Sequence, residues 1–163
     1  MCSSDLVHPG LNKLLDYRSY TTSQSEWYSY QHSPLESKDE NFYGDGDAHY
    51  YCIYPNLMLN ILPNHVQTNV ILPMIHNNTK IIFDYYYKDH NSPATQKMIA
   101  EDKQFSDQVQ LEDITICEQV QVGLNSGSYV AGRLCIKRET GVLHFQNVIR
   151  NSLRKAIAEL ISE

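Results

Sequence analysis

The chain has little of what marks a cross-linked, metal-clustered or membrane-embedded protein. Its four cysteines, Cys2, Cys52, Cys117 and Cys135, stand apart in 163 residues with no CxxC or CxH pair. A disulfide scaffold or a zinc ribbon needs tighter grouping, and no iron–sulfur cluster assembles from these positions alone. No run approaches the roughly 18 consecutive apolar residues of a membrane span, and the opening MCSSDLVHPG has neither a basic nor an apolar leader region. A soluble, cytoplasmic protein is expected. Positive charge is also scarce: thirteen Lys and Arg against nineteen Asp and Glu leave a net charge of −6. Binding to a phosphate backbone then has no electrostatic driving force, so neither nucleic acid nor membrane is an expected partner. There is no internal repeat and no low-complexity tract.

What is present fits one folded unit. An apolar fraction of 42% with 20% charged residues is too hydrophobic for a disordered chain. A single domain over 1–163 can bury roughly 70% of the surface its unfolded form exposes. A helical turn is plausible from Gly10 to Leu15, within an opening segment 1–16. Residues 17–47 are rich in Ser, Tyr, Gln, Asp and Glu with little periodicity, and read as a long polar loop. Residues 48–88 hold three β-rich runs, His49–Leu62, Val66–Pro73 and Thr79–Tyr87, separated by the turn formers Pro63-Asn64-His65 and His76-Asn77-Asn78. An antiparallel meander follows. Leu57, Leu59 and Ile61 alternate with Met58, Asn60 and Leu62, so the leucine face is expected to be the covered one.

Residues 97–125 supply a helix to cover it. At 100° per residue Phe105, Val109, Ile116, Cys117, Val120 and Leu124 fall in one sector about 120° wide, and Asn125-Ser126-Gly127 stop the helix. Residues 143–162 read as a second long amphipathic helix, with Phe145, Val148, Ile149, Ala156, Ile157 and Leu160 at helical spacing. Cys52 on a strand and Cys117 on the apolar stripe read as small buried hydrophobes.

Asp113 is the side chain that stands out. It lies four residues after Val109 and four before Cys117, in the middle of the apolar stripe. Burying an ionised carboxylate costs several kcal/mol unless it is paired, protonated, hydrogen-bonded or metal-bound. Periodicity leaves the choice open between a structural partner, such as Arg133 or a tyrosine, and a role as ligand or catalyst. Among the histidines, His32, His65, His76 and His90 sit in polar contexts and read as solvated, while His49 and His144 read as satisfied core or capping residues. His8 is held between Val7 and Pro9-Gly10, a fixed backbone beside a potential ligand.

Four segments taken together resemble a known family. VHPGL at 7–11, YPNLMLNILP at 54–63, VQLEDITICEQVQVGLNSGSY at 109–129 and GRLCIKRETGVLHFQ at 132–146 are similar, in order and spacing, to the C-terminal catalytic domain of the large subunit of Rieske-type non-haem iron oxygenases. The similarity is greatest to the branch containing choline, carnitine and glycine-betaine monooxygenases beside aromatic-ring hydroxylases. The resemblance implies an α+β, START-like helix-grip fold, an antiparallel sheet packed against long helices. It also implies a mononuclear Fe(II) held by two histidines and a carboxylate, with positions left open for O2. The match places the carboxylate on Asp113 and the second histidine on His8, and puts Val109 in the substrate pocket. Five residues before His8 the pattern calls for the first histidine, and this chain has Ser3. The family's Rieske domain is absent from the sequence, so a Rieske [2Fe-2S] centre is expected from a missing domain or another chain, and the sequence reads as truncated at its N-terminus.

The function implied is insertion of oxygen from O2 into a small organic molecule, a quaternary ammonium compound or an aromatic ring. Electrons would come through a reductase or ferredoxin, and full-length subunits would form a homotrimer. The alternative is an iron-free remnant that binds a small ligand without catalysis. Tyr50, Tyr51, Tyr54, Tyr85 and Tyr86 suit a cation or an arene, or ordinary strand packing.

Overall fold

The computed structural model describes residues 18–35, 43–75, 77–135, 137 and 139–162. Its elements are β1 (Thr21–Gln24), β2 (Tyr28–Pro34), β3 (Asp47–Ile53), β4 (Leu57–Ile61), β5 (His65–Pro73), β6 (Thr79–Tyr87), α1 (Pro93–Asn125) and α2 (Thr140–Ser162). The six strands form one antiparallel sheet in sequence order. Each strand returns beside the one before it, which keeps every connection short. The architecture is α+β, as expected. The chain divides into two compact units, the sheet with α2 and the stretch Lys88–Leu134 that carries α1, where the sequence suggested one.

The meander is longer than the sequence indicated. The expected loop over 17–47 contains β1 and β2, whose register runs Thr21↔His32 to Gln24↔Ser29 and then Tyr28↔Ile53 to Pro34↔Asp47. These strands are built from Thr, Ser, Gln and Tyr, so no apolar alternation betrays them. The run His49–Leu62 is two strands, broken where Tyr54, Pro55 and Asn56 turn the chain. At the other end of β5, Asn77 takes a positive φ of 63°, a left-handed turn that asparagine tolerates and the sequence placed there.

Both helices begin earlier than their apolar periodicity. Ser92 caps α1: its hydroxyl accepts from the Thr95 backbone N–H at 3.2 Å, and Pro93 fills the first turn, where its missing N–H costs nothing. Asp89 braces the same turn by accepting from the Asn91 N–H at 2.9 Å and the Thr95 hydroxyl at 3.1 Å. These hydrogen bonds hold its carboxyl below the usual carboxylate range, the Asn91 bond most of all. Ser126 ends α1 and Gly127 follows with φ 71°, as Asn125-Ser126-Gly127 predicted.

One end of α2 is pressed onto the sheet. Gly141 is buried, and a side chain there would meet Gln31 Nε2 at 3.6 Å, Ser29 Oγ at 3.7 Å and Thr22 Cγ2 at 3.8 Å. That contact defines a helix-side face of the sheet. By the antiparallel register the face continues from Ser29 and Gln31 through Tyr50 and Cys52, Met58 and Asn60, then Gln67 and Asn69, to Phe83 and Tyr85. The fully buried apolar cluster among the described residues is small, Leu35, Tyr43 and Ala48, with Tyr50 and Leu62 against it.

Candidate functional site

The sheet carries its polarity the wrong way round. On β5 the side chains most shielded from water are His65, Gln67 and Asn69, while Val66, Thr68 and Val70 between them are half-exposed. Ser29 and Ser33 repeat the pattern on β2. The leucine face was expected to be the covered one. Instead every buried residue of the strands lies on the helix-side face, which contains serine, glutamine, asparagine, histidine and tyrosine. Burying an amide costs roughly 1–3 kcal/mol unless it is hydrogen-bonded, so each of these groups needs a partner.

Most have one. Asn60 Nδ2 donates to Gln67 Oε1 at 3.2 Å, and Gln67 Nε2 donates to the Tyr85 hydroxyl at 3.3 Å, a chain running across β4, β5 and β6. His65 is 5% exposed rather than solvated. Its Nδ1 lies 2.8 Å from Asn64 Oδ1, and its ring lies between Tyr43, Tyr85 and Tyr87, with centroids at 6.0, 6.1 and 5.1 Å. Cys52 shares the face, and burial pushes its thiol up, which lowers its thiolate fraction. Two buried side-chain atoms among the described residues have no hydrogen-bond partner, Asn69 Oδ1 and His144 Nε2. His144 follows Gly141 by one turn and so lies on the side of α2 that meets the sheet. It was expected to be satisfied, and it is not.

The opposite face is satisfied. The Tyr30 hydroxyl lies 2.7 Å from His49 Nδ1, His32 Nε2 sits 3.1 Å from Asp47 Oδ2, and Tyr30 packs on Tyr51 with ring centroids 4.8 Å apart. Desolvation, then Tyr51 and Asp47, raise the Tyr30 hydroxyl above its ordinary value. His32 therefore lies on β2 against Asp47 rather than free in a loop. Of the tyrosines singled out in the sequence, Tyr50 and Tyr85 face the helix side. Tyr51 and Tyr86 face away, and Tyr54 lies between strands beside Trp27 at 5.9 Å.

Asp113 lies on the middle of α1, with Val109 one turn before it and half-buried. The stripe proposed from the sequence divides there: Phe105 and Val109 are half-buried, whereas Ile116, Cys117, Val120 and Leu124 are exposed. Cys117 is therefore not the buried hydrophobe expected. Asp113 is itself exposed, yet its carboxyl is held above the usual carboxylate range, first by partial desolvation and then by the neighbouring charge of Glu112. No ion pair or hydrogen bond ties it to another described residue, Arg133 included. His8, Ser3 and His76 lie outside the described residues. Among the described residues no group of three His, Cys, Asp or Glu is placed to hold a metal ion. An unpaired carboxylate suits one corner of a two-histidine, one-carboxylate set, and the described residues by themselves do not complete it.

A family profile described as "Ring hydroxylating alpha subunit (catalytic domain)" matches residues 5–155. Choline monooxygenase of Arabidopsis thaliana, a chloroplastic protein by name, is 34% identical over 151 residues, which cover 91% of this chain and 35% of the relative. The carnitine monooxygenase oxygenase subunit of Escherichia coli K12 is 25% identical over 156 residues, 88% of this chain and 41% of the relative. The chain thus spans a little over a third of the length of these proteins. A solved quaternary ammonium Rieske monooxygenase, described with carnitine oxidation and inter-subunit electron transfer, superposes with a TM-score of 0.75 at 22% identity, over 90% of this chain and 42% of its own. That likeness speaks to the fold. No helix among the described residues is long and apolar enough to cross a membrane.

Proposed function

We propose that this chain, which belongs to the family of ring-hydroxylating alpha-subunit catalytic domains, is an oxygenase domain of helix-grip fold acting on a small organic cation of the quaternary ammonium class. The observation that carries the reading is the inverted sheet. A face that buries Ser29, His65, Gln67 and Asn69 instead of valines is costly for stability, and it makes sense as the wall of a site for a polar ligand. Tyr50, Tyr85 and Tyr87 on that face offer ring faces to a cation, worth about 0.5–2 kcal/mol each when desolvated. The relatives' names, choline and carnitine monooxygenase, supply the substrate class.

Members of the family generally use a non-haem iron and a Rieske centre. In this chain Asp113 and His8 would hold the Fe(II), and Val109, one turn from the carboxylate, would line the substrate site. The iron supplies O2-activating redox chemistry when bound, with electrons from a Rieske [2Fe-2S] centre fed by a reductase or ferredoxin, within a homotrimer of full subunits. The remaining tasks fall to protein groups. The Asn60–Gln67–Tyr85 chain fixes the side chains that orient substrate, and the aromatic rings around His65 keep water from them.

The test loads the protein anaerobically with Fe(II), adds a ferredoxin-type reductant, and exposes it to 18O2 with choline, carnitine or benzoate. Label in a product of choline or carnitine supports the proposal. Label only in a benzoate product moves the substrate class to arenes. Binding without label in any product assigns the chain the iron-free binding role, and no binding of any of the three overturns the reading.

A further inference from the structure

We propose that Asn69 is the subsite that recognises a hydroxyl group on the bound molecule, a specificity element that rests on the small-ligand reading above. The register brackets it between Met58 on β4 and Phe83 on β6, both on the helix-side face. It is 8% exposed, and its Oδ1 has no hydrogen-bond partner. One pair further along the same strands the amide of Gln67 meets both needs, with Asn60 on one side and Tyr85 on the other. The two amides share a strand, a face and a depth, and only one is satisfied. A buried amide left open beside a completed network is an acceptor reserved for something that arrives later.

The neighbours say what that something is. Met58 and Phe83 are soft and apolar, so the ligand atoms beside the amide are hydrocarbon, with one polar group that can donate. No charged side chain pairs with Asn69 across β4 or β6, so that group is neutral. A hydroxyl on a short alkyl chain fits, as in a hydroxyalkyl trimethylammonium ion. A site built to bond a hydroxyl rejects the analogue that lacks it, because the amide is then buried unpaired.

The experiment measures dissociation constants by calorimetry for two matched pairs, choline against ethyltrimethylammonium and benzyl alcohol against toluene. The wild-type protein is compared with Asn69→Ala and Asn69→Leu. The alanine variant leaves room for both members of each pair, so the ratio within a pair is free of steric effects. The wild type should prefer the hydroxylated member about tenfold, the size of one net hydrogen bond, and both variants should bring the ratio close to one. A ratio unchanged by the substitutions, or no preference in the wild type, overturns the assignment. If neither ammonium ion binds but benzyl alcohol is preferred over toluene in an Asn69-dependent way, the quaternary ammonium reading fails and the subsite stands. Absence of binding by all four probes overturns both.

Discussion

Replacing Asn69 by leucine should make the protein more stable, which is unusual for a buried position. The unpartnered amide oxygen costs the folded state about 1–3 kcal/mol in lost hydration, and leucine of similar volume removes that cost. Fitting its branched end between Met58 and Phe83 returns roughly 1 kcal/mol of strain. The net gain is about 0–2 kcal/mol, or a rise in Tm of up to roughly 8 °C for a chain of this length. The control is Gln67→Leu, equally buried on the same strand. It strands Asn60 Nδ2 and takes a donor away from the Tyr85 hydroxyl, so it should cost about 1–3 kcal/mol and lower Tm. Thermal unfolding followed by circular dichroism at fixed pH, repeated at several scan rates, reads both. Opposite signs at two adjacent positions of one face separate an open amide from a satisfied one. A fall in Tm for Asn69→Leu comparable with that for Gln67→Leu would mean that Asn69 is hydrogen-bonded in the folded protein, and the case for a reserved acceptor would be lost.

Other consequences are simpler to measure. Ser92→Ala removes the cap of α1 and should cost about 1 kcal/mol, seen as faster hydrogen exchange at the Thr95 amide with the sheet unaffected. Glu112→Gln should bring the Asp113 carboxyl down, read by carboxyl-carbon NMR titration, but leave it above the usual range because desolvation is the larger cause. The sign follows from linkage. A carboxyl raised on folding binds its proton more tightly in the folded state, so its contribution is present below the unfolded-state pKa and fades as pH rises through the folded-state value. Glu112→Gln should therefore soften the loss of stability between acid and neutral pH. Thiol labelling by a disulfide reagent at neutral pH should modify exposed Cys117 well before Cys52, which is half-buried with a raised thiol. Equal rates would contradict the placement of Cys52 on the covered face.

How much of this could be read in the sequence depends on side-chain chemistry at each strand. The runs Val66–Pro73 and Thr79–Tyr87 were legible because β-branched and aromatic residues favour a pleated surface. β1 and β2 were not, since Thr22, Ser29, Gln31 and Ser33 make the covered side as polar as the open one and erase the alternation that marks a strand. The same inversion reversed the expectation for the leucine face. A signal was present in His65, Gln67 and Asn69, three polar residues at every second position among valines and threonine, but a polar set is ordinarily taken for the wet side. α1 was found from its apolar spacing, while its true start required the Ser92-Pro93 cap. Asp113 was singled out as a charge inside an apolar stripe, and the stripe proves to be shielded only in the part before it, at Phe105 and Val109. The resemblance of four separate segments carried the family, which no single residue pattern would have given.

The most direct measurement is metal content after anaerobic incubation with Fe(II) and gel filtration, on the wild type, Asp113→Ala and His8→Ala. Iron retained near one equivalent by the wild type and lost in both variants is what an oxygenase domain gripping its metal through these two side chains requires. Iron retained undiminished by Asp113→Ala would contradict the account at its centre.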